Sequence, residues 1–125
     1  AKELNIEKKC KFLGAKHSYT NFAHLSDIFI MPSLVEGLGV ATIEASAIGL
    51  IPILTKVQGN NEILKKIKGS IGIQRNSTSL KKAILKINRL KQKQKNKLSF
   101  SIHQQVKKIW SKKNIYTVIN YYKDI

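Results

Sequence analysis

"SDIFIMPSLVEGLGVATIEASAIGLIPILT", residues 26 to 55, changes its hydrophobic rhythm twice within one short stretch. Ile28 to Met31 is an apolar run stopped by Pro32, which reads as a buried strand. A loop with Gly37 and Gly39 then opens a helix over about Gly39 to Ile48, and Gly49 takes the usual position after a helix C-terminus. "IPILT", ending at Thr55, is the next apolar strand. Strand, helix and strand with apolar strands imply an α/β, Rossmann-like parallel sheet with helices on both faces.

The alternation continues outward. "GNNEILKKI" (59–67) reads as a short helix and "SIGI" (70–73) as a short strand. From "NSTS" (76–79) a helix carries Leu80, Ala83, Ile84, Ile87 and Leu90 on one face and lysines on the other. "KQKQKNK" (91–97) reads as a solvated helix or a break, and a terminal helix places Ile115, Val118, Ile119 and Tyr122 on one side. Upstream, "KCKFLG" (9–14) reads as a strand ending at Gly14, and "SYTNFAHLS" (18–26) as a helix with Tyr19, Phe22 and Leu25 at helical spacing.

At 125 residues the chain holds one domain at most, with 42% hydrophobic residues, as in ordinary soluble domains. The longest nearly apolar run, Ala45 to Leu54, is too short to cross a bilayer and is interrupted by Ser46, Gly49 and Pro52. No signal peptide opens the sequence, and without an initial Met it reads as a processed chain or a fragment. The single cysteine, Cys10, excludes an internal disulfide and fits a reducing compartment. Its place in a strand makes it a packing residue, and no His/Cys cluster has metal-ligand spacing.

The charge is lopsided. Residues 1–62 hold six lysines and six acids, whereas residues 63–125 hold fifteen lysines, two arginines and only Asp124, so the whole net charge of +16 lies in the second half. Such a half attracts nucleic acid, anionic lipid or an acidic glycan. Lysine far outnumbers arginine, beside 18 Ile and 9 Asn, as A/T-rich coding produces. Phosphate readout favours the planar fork of arginine. Solvated helix faces therefore come first, an anionic membrane surface along 63–125 second, and nucleic acid last.

Glu36 and Glu44 flank the glycine turn. In parallel α/β sheets ligands bind at the carboxyl ends of strands, and residues 32–39 form such a loop. Gly37 and Gly39 let the backbone approach a ligand, and the N–H groups of Leu38, Gly39 and Val40 open a helix whose positive end suits a diphosphate. Glu44, about a turn and a half into that helix, can accept hydrogen bonds from a ribose diol, and Glu36 from the hydroxyls of a second sugar. Five glutamates stand in the chain, so the spacing alone is weak, and the ordered company of strand, turn, helix and strand gives it weight.

Together "FLG", "SDIFIMPS", "EGLGVATIEASAIG", "IPILT" and "GNNEIL" resemble the C-terminal, donor-binding domain of retaining family-4 (group 1) glycosyltransferases of the GT-B fold. The likeness is close over about 11–64 and loose over the basic, helical 76–125. It implies transfer of a sugar from a nucleotide-sugar to a glycan or lipid-linked acceptor with retention, in surface polysaccharide or glycolipid synthesis at the cytoplasmic face of the membrane. By position it assigns Glu36 to the donor sugar and the catalytic role, Gly37, Leu38 and Gly39 to the diphosphate, and Glu44 to the ribose. Glu62 matches a family glutamate near the donor loop, though an acid complementing the helix dipole explains it equally well. His17 stands near the family's nucleobase position, where a solvated loop histidine is the plainer reading. No metal or other cofactor is implied.

In the loop "VQGNNE", Gln58 stands for a family glycine and Asn61 for a proline, and Pro52 falls one place later than the commonest pattern. The family's N-terminal, acceptor-binding domain and its basic Arg–Lys pair would lie upstream of Ala1. In the family strand order 3-2-1-4-5-6, "KCKFLG" would be the third strand, cut off from the fourth, so it either moves beside "DIFIM" or is poorly held. Residues 1–125 are thus expected to be part of an enzyme, weakly active or inactive alone. The alternatives are a non-catalytic nucleotide-sugar-binding remnant and, less favoured, a basic nucleic-acid binder. Trp110, Tyr116, Tyr121 and Tyr122 could stack bases, but their helical spacing suits packing better, and His24 and His103 carry no partner signal.

Overall fold

The computed structural model describes residues 1–15 and 23–110. His17, Tyr19, Phe22 and the terminal helix with Ile115, Tyr116, Val118, Ile119, Tyr121 and Tyr122 lie outside the described residues.

Three strands form a parallel sheet in the order β1-β2-β3: β1 (Ile28–Met31), β2 (Ile51–Thr55) and β3 (Ile71–Ile73). β1 and β2 are joined by α1 (Val40–Ala47), and β2 and β3 by α2 (Gln58–Lys66). The register runs Ile28↔Ile51 to Met31↔Leu54, and Ile53↔Ile71 to Thr55↔Ile73. All five residues of β2 are buried, so the centre of the sheet is covered on both faces. This is the α/β arrangement expected from the sequence.

Pro52 occupies this central strand, where a residue without an N–H ordinarily breaks the ladder. Alternate residues of a parallel strand turn their N–H groups to opposite neighbours. Ile51 N donates to Asp27 O on the β1 side, so position 52 faces the β3 side. Pairing with β3 begins only at Ile53, so Pro52 deprives no partner.

Two helices complete the described part, α3 (Ser77–Asn88) and α4 (Gln92–Ile109). Asn76 caps α3 by accepting from Ser79 N at 2.8 Å, and Ala83 and Ile87 of its apolar face are buried. α4 takes the helical one of the two readings of "KQKQKNK" and runs on as one long helix. "KQKQKNK" opens this helix, with Lys91 N donating to Gln94 Oε1 at 2.9 Å in a capping arrangement.

α4 ties together the three turns that enter the strands. Lys95 Nζ pairs with Asp27 Oδ2 before β1 at 3.0 Å. His103 Nδ1 donates to the carbonyl of Ala47 at the end of α1, so His103 has the partner that the sequence did not signal. The Gln105 side chain accepts from Lys68 N at 2.7 Å and donates to Lys68 O at 3.0 Å, ahead of β3. Gly49, at φ +89, leaves room for Ser99, whose hydroxyl would stand 2.5 Å from any Cβ there. The strands are parallel, so all three turns lie at one edge of the sheet, and the opposite, carboxyl edge is left for ligands.

The upstream segment departs from expectation. Residues 1–15 form two short 3-10 turns, Lys2–Leu4 and Glu7–Lys9, and no strand. Cys10 is exposed rather than packed, and Phe12 is 84% exposed. A strand forms against a neighbour, and "KCKFLG" has none among the described residues. β1 consequently pairs with β2 alone and is a half-buried edge strand, with Ile30 37% exposed, rather than the buried strand read from its composition. Leu25 is exposed as well.

Ile102 is fully buried in α4. Ile102→Ala should lower the unfolding free energy in urea by about 2–5 kcal/mol, whereas exposed Gln104→Ala should stay within about 0.5 kcal/mol of the parent.

Candidate functional site

The loop after β1 turns at the carboxyl edge of the sheet, and three contacts hold it. Thr55 Oγ1, at the end of β2, donates to Ser33 O at 2.7 Å. Gly59 N, in the first turn of α2, donates to Glu36 O at 3.2 Å. Gly39 is buried at φ +64, in the left-handed region, with a Cβ position 2.7 Å from Ile63 Cδ1. A side chain at 39 would be strained and would displace Ile63.

Gly59 is the tighter constraint. A Cβ built on it would overlap the carbonyl of Gly37 and the carbonyl oxygen of Glu36, so the loop lies directly on the helix backbone. This explains the departures in "VQGNNE". Gln58 and Asn61 are exposed, whereas Gly59 and Asn60 are buried. The glycine that the packing requires is present, and the changes fall on the outward side of the turn.

Asn60 is fully buried, with Nδ2 donating to Thr55 O at 3.0 Å and lying 3.5 Å from Thr55 Oγ1. Ser33 Oγ in turn donates to Glu36 Oε2 at 3.3 Å. A chain of hydrogen bonds therefore runs from Asn60 through Thr55 and Ser33 to the Glu36 carboxylate. The sequence did not single out these three residues. Ser33 and Thr55 stand in the quoted motifs, but their roles depend on β1 and β2 pairing so that their ends coincide.

Glu36, Gly37, Leu38, Gln58, Gly59 and Glu62 line one open groove of about 410 Å³. The structure thus brings Glu36, Gly37 and Leu38 together and adds Glu62 from α2. Glu62 is not in the first turn of its helix, and Lys66 Nζ pairs with it at 3.3 Å, one turn on. Gly39 lies beneath the groove as the N-cap of α1. No side chain caps that helix, so its leading amide donors are open to an outside acceptor. Val40 begins the helix, exposed, and Glu44 is exposed one turn further along it. Glu44 does not line the groove.

A second groove of about 290 Å³ lies at the same edge, lined by Pro32, Leu34, Thr55, Ile73 and Arg75 among others. Arg75, one of only two arginines, thus follows β3 at the ligand-facing edge, a placement that composition could not show. Among the described residues no group of three or more His, Cys, Asp or Glu side chains could hold a metal ion. Trp110 ends α4 half-buried against the core, with Lys66 Nζ 5.8 Å from its ring centroid.

The sequence profile of the family Glycosyl transferases group 1 matches residues 1–120. The chain is 36% identical over 63 residues to the UDP-Gal:alpha-D-GlcNAc-diphosphoundecaprenol alpha-1,3-galactosyltransferase of Escherichia coli, covering 50% of this chain and 16% of that protein. It is 33% identical over 73 residues to a Bacillus subtilis (strain 168) protein named as a glycosyltransferase, EpsF, covering 58% of this chain and 18% of the other. The aligned parts span less than a fifth of either relative.

Replacing glycine by alanine inside a helix normally gains about 0.5–1 kcal/mol. Gly59→Ala should reverse that sign and lose at least about 1 kcal/mol in urea unfolding, because backbone must move. Asn60→Ala should cost about 1–3 kcal/mol in the same measurement through the lost buried bond and the partners it strands.

Proposed function

The chain belongs to the group 1 glycosyl transferases, and we propose that it supplies the donor-binding part of a retaining enzyme. That enzyme moves a sugar from a nucleotide-sugar to a glycan or lipid-linked acceptor in surface polysaccharide or glycolipid synthesis, at the cytoplasmic face of the membrane. The observation that carries the proposal is the uncapped start of α1 beside the Glu36 carboxylate, both held at the carboxyl edge of the sheet. The name of the Escherichia coli relative, with its nucleotide-sugar and diphosphoundecaprenol-linked sugar, supports the donor and acceptor classes.

In this reading the amides from Gly37 to Val40 receive the donor diphosphate. As the bond between the anomeric carbon and the β-phosphate oxygen breaks, negative charge grows on that phosphate. Fixed amide dipoles at a helix start stabilise it without reorganising. The acceptor oxygen bonds to the anomeric carbon from the face that the phosphate leaves, and the acceptor proton passes to the departing phosphate oxygen. Glu36 accepts hydrogen bonds from the donor sugar and orients it, and the Asn60–Thr55–Ser33 chain holds Glu36 in turn. Glu44 accepts from the ribose hydroxyls one turn along α1. The charge is handled by amides, so the proposal involves no metal.

Ligand-observed NMR with UDP, GDP, ADP and their sugars tests this, in about 0.2 M salt to shorten the reach of the basic half. Selective binding of one nucleotide family is expected. Glu44→Ala should weaken it about tenfold or more, the worth of hydrogen bonds to a charged group. Glu36→Ala should weaken the nucleotide-sugar more than the bare nucleotide. Binding that both variants leave intact would overturn the proposal.

A further inference from the structure

The outward face of α4 is built differently from its packed face. Leu98, Ile102 and Val106 turn toward the core, while Lys93, Lys97, Phe100, Gln104 and Lys107 are exposed. Their spacing of four, three, four and three residues sets them in one stripe about 21 Å long. Phe100, in the middle of that stripe, is 64% exposed. The two ion pairs described, Lys66 with Glu62 and Lys95 with Asp27, use none of these lysines. Nor does the sequence hold any acid between residues 63 and 123. A large aromatic ring on a helix face whose only charges are lysines satisfies nothing within the described fold.

We propose that this stripe of α4 is a docking surface for an anionic lipid bilayer, with Phe100 entering the headgroup boundary and the flanking lysines contacting lipid phosphates. Lysine suits this place because its long apolar stem reaches along the interface while the ammonium stays with the headgroups. Each basic residue held near an anionic leaflet adds attraction, and the absence of acids from the sequence between residues 63 and 123 leaves the charge of the later helices unopposed within their own span. Polynucleotide phosphate is the competing partner for such charge. Recognition of it draws on arginine forks and on several stacked aromatics, and the stripe offers lysines and one ring. α4 ties the amino edge of the sheet, and the donor groove lies at the carboxyl edge, so docking through the stripe leaves that groove open.

The test is co-sedimentation of the full chain with vesicles of phosphatidylcholine alone, and of phosphatidylcholine with about one quarter phosphatidylglycerol. Binding to the anionic vesicles only is expected. Phe100→Ser should weaken it about fivefold, and Lys93→Glu with Lys97→Glu about tenfold or more, with circular dichroism showing each variant folded. Lys81→Glu with Lys82→Glu makes the same change of net charge on α3 and should cost much less. Equal losses from both pairs would mean diffuse attraction and overturn the proposal. So would undiminished binding by Phe100→Ser, or tighter binding to poly(U) than to the vesicles. No donor is present, so failure here leaves the donor-site reading standing.

Discussion

The candidate site depends on one close approach, that of the Gly37 carbonyl to the backbone of α2 at Gly59. With no side chain between them, the loop after β1 rests on the first turn of the next helix but one, and Gly59 N donates to Glu36 O. The other constraints follow from that contact. Ile63 fills the space under Gly39, and Asn60 sits buried below the loop and bonds to Thr55 at the end of β2. Thr55 in turn bonds to Ser33. The start of α1 and the Glu36 carboxylate are thereby set by elements on both sides of the loop, before any ligand arrives. Such preorganisation is what electrostatic stabilisation of a leaving group requires.

The molecule divides its tasks between the two edges of the sheet. α4 closes the amino edge, using Lys95, His103 and Gln105 on the three turns that enter the strands. Its own inward face is mixed, with Ser99 and His103 beside Leu98, Ile102 and Val106. The carboxyl edge carries the glycine turn and the groove. The charge is divided along the chain as well: residues 1–62, which hold all six residues lining the groove, are balanced in sign, and the surplus lies in residues 63–125.

The stretch from Ser26 to Thr55 was legible because each local signal agreed with the next. Gly49 adopts positive φ just past α1, as its place in the pattern required, and Gly39 does so at the helix start, where the sequence had shown only room for a ligand. The apolar run Ile51–Thr55 is buried throughout. α4 was read as helix only as one of two alternatives, and its docking was not legible, because its inward face relies on polar side chains whose partners, the backbone of Ala47 and Lys68, are distant in sequence. "KCKFLG" has strand composition, yet a strand is a property of a pair, and nothing among the described residues pairs with it. Glu36 and Glu44 could be read from the motif, whereas the Asn60–Thr55–Ser33 support required the register between β1 and β2. Glu62, which the resemblance placed near the donor loop, lines the groove through the close seat of α2 on that loop.

The central claim is that the glycine turn and the start of α1 form an anion site for a nucleoside diphosphate. Backbone amide NMR of the isotope-labelled chain, titrated with the nucleoside diphosphate that binds best, tests it most directly. The account predicts that the largest shifts fall on the amides of Gly37, Leu38, Gly39 and Val40, with smaller ones at Gly59 and Glu44, and that added salt leaves them in place. Shifts confined to the lysine-rich helices α3 and α4, and erased by salt, would contradict it.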